Sequence, residues 1–120
     1  MRLDKMVKAT VAALEDIKAR DIVVLDVRPM TSLFNWMVIA SADSTRQTKA
    51  LSRNVQEKLK SFGAKVHGVE GEENGEWVLV DLGDVVVHIM QPAVRKYYNL
   101  EQLWGYSRPV RRGRKTVASS

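Results

Sequence analysis

The chain has 120 residues, 19 Lys and Arg against 14 Asp and Glu, a formal charge of +5 and no cysteine. A chain of this length favours one domain around one core, and the missing thiols exclude a disulfide framework, thiolate metal ligands and a cysteine nucleophile. The net charge is not spread along the chain. Residues 106–120 contain Arg108, Arg111, Arg112, Arg114 and Lys115 and no acid, which leaves 14 bases and 14 acids in positions 1–105. Within that neutral body, Val66 to Val94 holds six acids and no Lys or Arg. No apolar run approaches the ~18 residues of a membrane helix. Asp4 and Lys5 interrupt the start where a signal peptide would be apolar, so a soluble cytoplasmic protein is expected.

In chain order, Leu3, Met6, Val7, Thr10, Val11, Leu14 and Ile17 recur at helical spacing and predict an amphipathic helix. Ile22 to Leu25 reads as a buried strand that closes before the turn-forming Arg28-Pro29. Trp36 to Ala40 reads as a second strand, apolar throughout. Ser44 and Gln47 have the spacing of a capping box, in which each side chain satisfies an orphan amide of a new helix. Leu51, Val55, Leu59 and Phe62 form its expected buried stripe, and Gly63 is placed to end it. A short strand follows at Val66 to Val69. Strand, helix and strand from Trp36 to Val69 predict a parallel crossover.

The next unit carries the most information. Two strands, Glu76 to Asp81 and Asp84 to Met90, flank Leu82-Gly83, and pairing outward from that turn sets Asp81 opposite Asp84, Leu79 opposite Val86 and Trp77 opposite His88. Alternation gives one face Val78, Val80, Val85, Val87 and Ile89, which must be core. The other face carries Trp77, Leu79, Asp81, Asp84, Val86, His88 and Met90, a mixture suited to docking a partner. After Gln91-Pro92, the segment from Arg95 to Trp104 predicts a short helix that Asn99 divides by capping, with Tyr97, Tyr98 and Trp104 as packing residues. The sum is an α/β fold, a mixed sheet of about five strands with helices packed on it, as a single domain over 1–105. The tail, 106–120, reads either as a disordered solubilising end or as an arm for RNA phosphates through its five cations.

No catalytic constellation emerges. Asp81 and Asp84 could hold a divalent cation, but Asp is favoured beside a tight turn for its local hydrogen bonding, and that reading is preferred. His67 and His88 stand in no ligand spacing and read as partly buried structural residues. Gly68, Gly71, Gly75 and Gly83 form no phosphate loop, and Ser32, Ser41 and Ser44 lack the context of a nucleophile elbow. No metal and no cofactor is expected.

The runs Ser32-Leu33-Phe34-Asn35-Trp36-Met37-Val38-Ile39-Ala40, Ser44-Thr45-Arg46-Gln47, Val69-Glu70-Gly71, Gly75 to His88 and Tyr98 to Trp104 resemble the ribosomal silencing factors of the Iojap family. The resemblance spans residues 3 to 105 and leaves the tail outside. It departs from the family pattern at Asn35, usually Asp, and at Ala42, usually Gly. It implies a nucleotidyltransferase-like fold without the Gly-Ser and Asp-x-Asp elements of the enzymes. The implied function is binding of the large ribosomal subunit through a ribosomal protein of its intersubunit face, which blocks subunit joining and dampens translation when nutrients are scarce. Carried onto this chain, Trp77 becomes the anchor, Asp81 and Asp84 charge partners, and Leu79, His88 and Met90 their surroundings. The alternatives are a metal-dependent nucleotidyltransferase using Asp81 and Asp84, and an RNA-binding module acting through the tail. The mixed hairpin face could also pair with a second copy of the chain.

Overall fold

The expected first helix is present as α1 (Leu3–Asp16), with Met6, Ala9, Thr10, Val11, Ala13 and Leu14 buried. It ends through two backbone bonds, Lys18 N–H to the Glu15 carbonyl and Ala19 N–H to that of Leu14, each 3.0 Å. That pairing needs a left-handed residue, and Lys18 supplies it at φ 63°. In the computed structural model, the described residues are 2–104 and 108–111. None of their helices is long and apolar enough to cross a membrane.

After α1 come β1 (Arg20–Asp26), β2 (Trp36–Ser41), α2 (Thr45–Ser61), β3 (Gly68–Glu70), β4 (Trp77–Asp81), β5 (Val85–Met90), α3 (Pro92–Tyr98), α4 (Leu100–Leu103) and β6 (Arg108–Arg111). The Ser44 side chain caps α2 by accepting from Gln47 N–H. Only half of the capping box forms, because Gln47 does not return to Ser44. Its Oε1 accepts from Asp43 N–H at 2.9 Å, and its Nε2 donates to the carbonyls of Ile17 and Lys18 at 3.1 and 3.2 Å. Gln47 thus joins the start of α2 to the end of α1, and Asn54 Nδ2 continues the seam by donating to Ala13 O at 2.8 Å. Gly63, at φ 90°, ends α2 as expected. Phe62, however, is not in the buried stripe but 56% exposed, since the helix stops before its turn reaches the sheet.

The sheet order is β3-β4-β5-β2-β1-β6. Only β2 and β5 pair in parallel; the β1–β2, β1–β6, β3–β4 and β4–β5 ladders are antiparallel. The mixed sheet matches expectation, with two corrections. The strand following α2 does run parallel to β2, but the β4–β5 hairpin lies between them, so the crossover spans two intervening strands. Apolar patterning reports that a strand is buried, not which neighbour it takes, and β5 is the more continuous match for β2. Moreover, Arg108–Arg111 is not an irregular arm: its backbone adds to the edge of β1.

The sheet separates two clusters. On one face Val24, Val38, Ala40, Val78, Val80, Val85, Val87 and Ile89 pack against α1 and α2, the core expected from the aliphatic hairpin face. Ala42, fully buried, belongs to this cluster too. On the other face Leu25, Val27, Met37, Ile39, Met90 and Leu100 form a smaller cluster, with Phe34, Trp77, Val94 and Trp104 partly buried around it. The short helices α3 and α4 cover part of that second face and leave the rest open.

Candidate functional site: an open groove on the second sheet face

The hairpin turn is Gly83-Asp84, closed by Leu82 N–H to Val85 O at 2.9 Å, and not Leu82-Gly83 as the sequence suggested. A two-residue turn with glycine at its first central position accepts the positive φ of Gly83, 90°, and lets Leu82 bury its side chain. Pairing consequently moves: Trp77 faces Met90, Leu79 faces His88 and Asp81 faces Val86. The shift is by two residues, so both expected faces survive.

What changes is accessibility. Met90 is fully buried and His88 nearly so, contrary to their expected place in a docking surface. Strand β5 is central, paired on both sides, and the chain returns over it with Leu100 and Trp104. Trp77 is half-buried rather than free. Its Nε1–H donates to His88 Nδ1 at 2.9 Å, and its ring centroid lies 4.8 Å from that of Tyr98. The bond requires a bare Nδ1 on His88, so the imidazole is neutral with its proton on Nε2. Burial pushes the His88 pKa down to about 4. Tyr97 and Tyr98, expected to pack, are exposed, at 81% and 54%, because α3 presents them at the rim of the second face and buries none of its own residues. His67, expected to be partly buried, is exposed as well.

Leu79, Asp81, Val86 and His88 form the floor of a groove of about 430 Å³ whose walls include Leu33, Phe34, Leu100 and Trp104. Leu33 is 83% exposed, and Phe34 lies 6.0 Å from Trp104, centroid to centroid. Of these, Leu33 and Phe34 were given no role in a site from sequence; the available signal was a pair of apolar side chains in a loop between Pro29 and a strand. The loop is fixed by its backbone. The Asp84 carbonyl accepts from both Asn35 N–H and Trp36 N–H, at 2.8 and 3.0 Å, and Asn35 O accepts from Val27 N–H at 3.1 Å. The hairpin turn therefore holds Leu33 and Phe34 beside the groove, with the backbone of Asn35 as the link.

Asp81 is the carboxylate of the groove. Its Oδ1 accepts from Gly83 N–H at 2.8 Å, which pins the side chain across the turn and leaves the second oxygen for a partner. Asp84 is exposed at the turn itself. Among the described residues no three His, Cys, Asp or Glu side chains converge as metal ligands would. Of the tail cations, Arg108 and Arg111 lie in β6, and Arg112, Arg114 and Lys115 lie outside the described residues. The site is an apolar trough with one oriented carboxylate, and it suits a protein surface with a cation and an apolar side chain.

The chain is similar to known proteins in sequence and in fold. The family described as "Ribosomal silencing factor during starvation" matches residues 1–119, which takes in the tail that the motifs left outside. A Chromobacterium violaceum protein named ribosomal silencing factor RsfS is 55% identical over 109 residues, 91% of this chain and 89% of that protein. Mouse mitochondrial assembly of ribosomal large subunit protein 1 is 35% identical over 97 residues, 78% of this chain and 42% of that protein. A crystal structure of a Chromobacterium violaceum protein superposes with a TM-score of 0.86 at 55% identity, covering 92% of each chain. With the profile, the identity and the fold in agreement, the chain belongs to the ribosomal silencing factor family.

Proposed function

We propose that this protein represses translation without catalysing a reaction, by docking on the large ribosomal subunit through a ribosomal protein of its intersubunit face and obstructing the small subunit. The observation that carries the docking site is the open groove on the second sheet face, where Leu33, Leu79 and the pinned Asp81 stand together. Membership of the silencing-factor family supports the ribosomal target, and the mouse relative's name points to the large subunit. Trp77 acts at the groove's border by fixing His88 and Tyr98, and Asp84 extends the negative charge at the turn. His88 and Met90 serve as floor and support. The same apolar face is open to a second copy of the chain, and self-association would compete with docking.

The test uses Leu33→Asp, since an 83% exposed side chain can be changed without disturbing the core. Together with Asp81→Lys, it is expected to weaken co-sedimentation with large subunits by about tenfold or more, a loss of ~1.4 kcal/mol or greater. Subunit joining should recover in parallel. Undiminished co-sedimentation of both variants would remove the groove as the docking site.

A further inference from the structure

A second surface lies on the far side of the sheet. Helices α1 and α2 run antiparallel, as the Gln47 and Asn54 bonds to the end of α1 require, and their outer faces enclose a trough of about 550 Å³. Ala9 and Ala12 form its floor, Phe62 one end, and Lys5, Lys8, Lys58 and Arg2 its rim, Arg2 being paired with Asp4 at 3.4 Å. No carboxylate lines it. Lys58 is paired with Asp16 at 3.0 Å, whereas Lys5 and Lys8 have no ion pair among the described residues. Phe62 has the position of a buried residue in the α2 pattern yet stays 56% exposed, an apolar side chain left uncovered beside three lysines. Helix α2 adds to the field, with five Lys and Arg, Arg46, Lys49, Arg53, Lys58 and Lys60, against one acid, Glu57.

We infer that this trough is a second interaction surface that seats an acidic amphipathic helix of a partner protein. The shape of the trough selects the occupant class. Two antiparallel helices with small residues at their seam, the buried Ala9 and the part-exposed Ala12, leave a shallow furrow into which the ridge of a third helix packs, and small floor residues allow close approach. The charge of the rim selects the sign: leucine-like side chains on the furrow and Glu or Asp on both flanks match an alanine floor between lysines. A single phenylalanine offers one stacking site, less than the run of aromatic platforms that a single-stranded nucleic acid uses. The inference does not depend on the docking groove. The two surfaces lie on opposite faces of the sheet, so this one stays available whatever occupies the other.

The experiment measures fluorescence anisotropy of a labelled peptide of about four helical turns, with leucines on one face and glutamates on the rest, titrated with the full-length protein. Binding is expected, and the double variant Lys5→Glu/Lys8→Glu should weaken it about tenfold or more, as should Phe62→Ser. Arg46→Glu, at the opposite end of α2, should leave it within about twofold. A matched peptide with lysines for glutamates, an oligouridylate and phosphatidylglycerol vesicles should bind more weakly than the acidic peptide. The inference is overturned if the acidic peptide does not bind, if Arg46→Glu weakens it as much as the Lys5/Lys8 pair, or if the oligouridylate or the vesicles bind more tightly with the same dependence on Lys5, Lys8 and Phe62. Unchanged thermal unfolding of the exposed-site variants separates a lost contact from a lost fold.

Discussion

Trp77 and His88 are best understood as one unit. A strand tryptophan with polar neighbours suggested an anchor for a partner, and a lone histidine suggested a structural side chain. The structure joins them by a 2.9 Å hydrogen bond under the edge of Tyr98. The pair has a pH consequence. Burial holds the folded pKa of His88 near 4, below its ordinary value of 6.5, so between those limits the unfolded chain binds more protons than the folded one. Stability contributed by the neutral imidazole is therefore present above pH ~6.5 and lost as pH falls toward 4, by about 3 kcal/mol at the ~1.4 kcal/mol per pH unit that a shifted group supplies. Urea denaturation of the wild type and of His88→Asn at pH 7 and pH 4.5 checks this. The wild type should lose more stability on acidification than the variant, the common loss being due to carboxylates. Equal losses would mean that His88 is protonated in the fold without penalty.

At the scale of elements, two helix ends make the same motif with different residues. Helix α2 stops at Gly63, with Gly63 N–H bonded to Lys60 O and Ala64 N–H to Leu59 O, both 2.9 Å. Helix α1 stops in the same way at Lys18. A side chain added at Gly63 would touch nothing within 4 Å, so Gly63→Ala should cost about 1 kcal/mol from backbone conformation alone. Lys18→Gly should run the other way and stabilise by roughly 0.5–1 kcal/mol, because it relieves the same left-handed strain. Thermal unfolding of the two variants measures both, and a destabilised Lys18→Gly would show that the lysine side chain contributes more than its backbone costs. Gly63 was legible as a stop signal and Lys18 was not, since nothing in the sequence distinguishes a left-handed lysine from an ordinary one. The division of the last helix at Asn99 was legible. It adopts φ 46°, ends α3 and caps α4 through its bond with Gln102. The αL tolerance of Asn is the local reason. Arg95 then holds the pair to the sheet, donating to Asp21 O and Ser41 Oγ at 2.8 Å and to Glu101 at 2.6 Å, contacts with partners up to 74 positions away.

For the whole molecule, the +5 charge gave way to a pattern with direction. Positions 1–105 are neutral, but α2 is cationic and the segment carrying β3, β4 and β5 is acidic. Removing residues 106–120 takes away five cations and no acid, bringing the formal charge from +5 to 0. With the groove as primary docking site, that truncation should weaken large-subunit association modestly. It should flatten the salt dependence by about 0.9 in log–log slope for each phosphate the tail neutralises. Pelleting across a salt series reads both quantities. Complete loss of association at low salt would make the tail, not the groove, the docking element.

Local and periodic properties were legible in the sequence by itself. It determined the elements of the body, the aliphatic core face of the hairpin, the Ser44 cap, two of the three left-handed helix stops and the resemblance carried by the hairpin run. These follow from side-chain spacing and backbone preference, which act within a few residues. Tertiary structure alone decided that β5 pairs with β2, that the turn is Gly83-Asp84, and that a sixth strand lines the β1 edge. It also decided which residues stay outside: Leu33 and Phe62 remain at the surface while Met90 joins the second-face cluster and His88 is buried against Trp77. Burial is a property of what the chain returns to cover, and that depends on contacts between residues tens of positions apart, which no local pattern encodes.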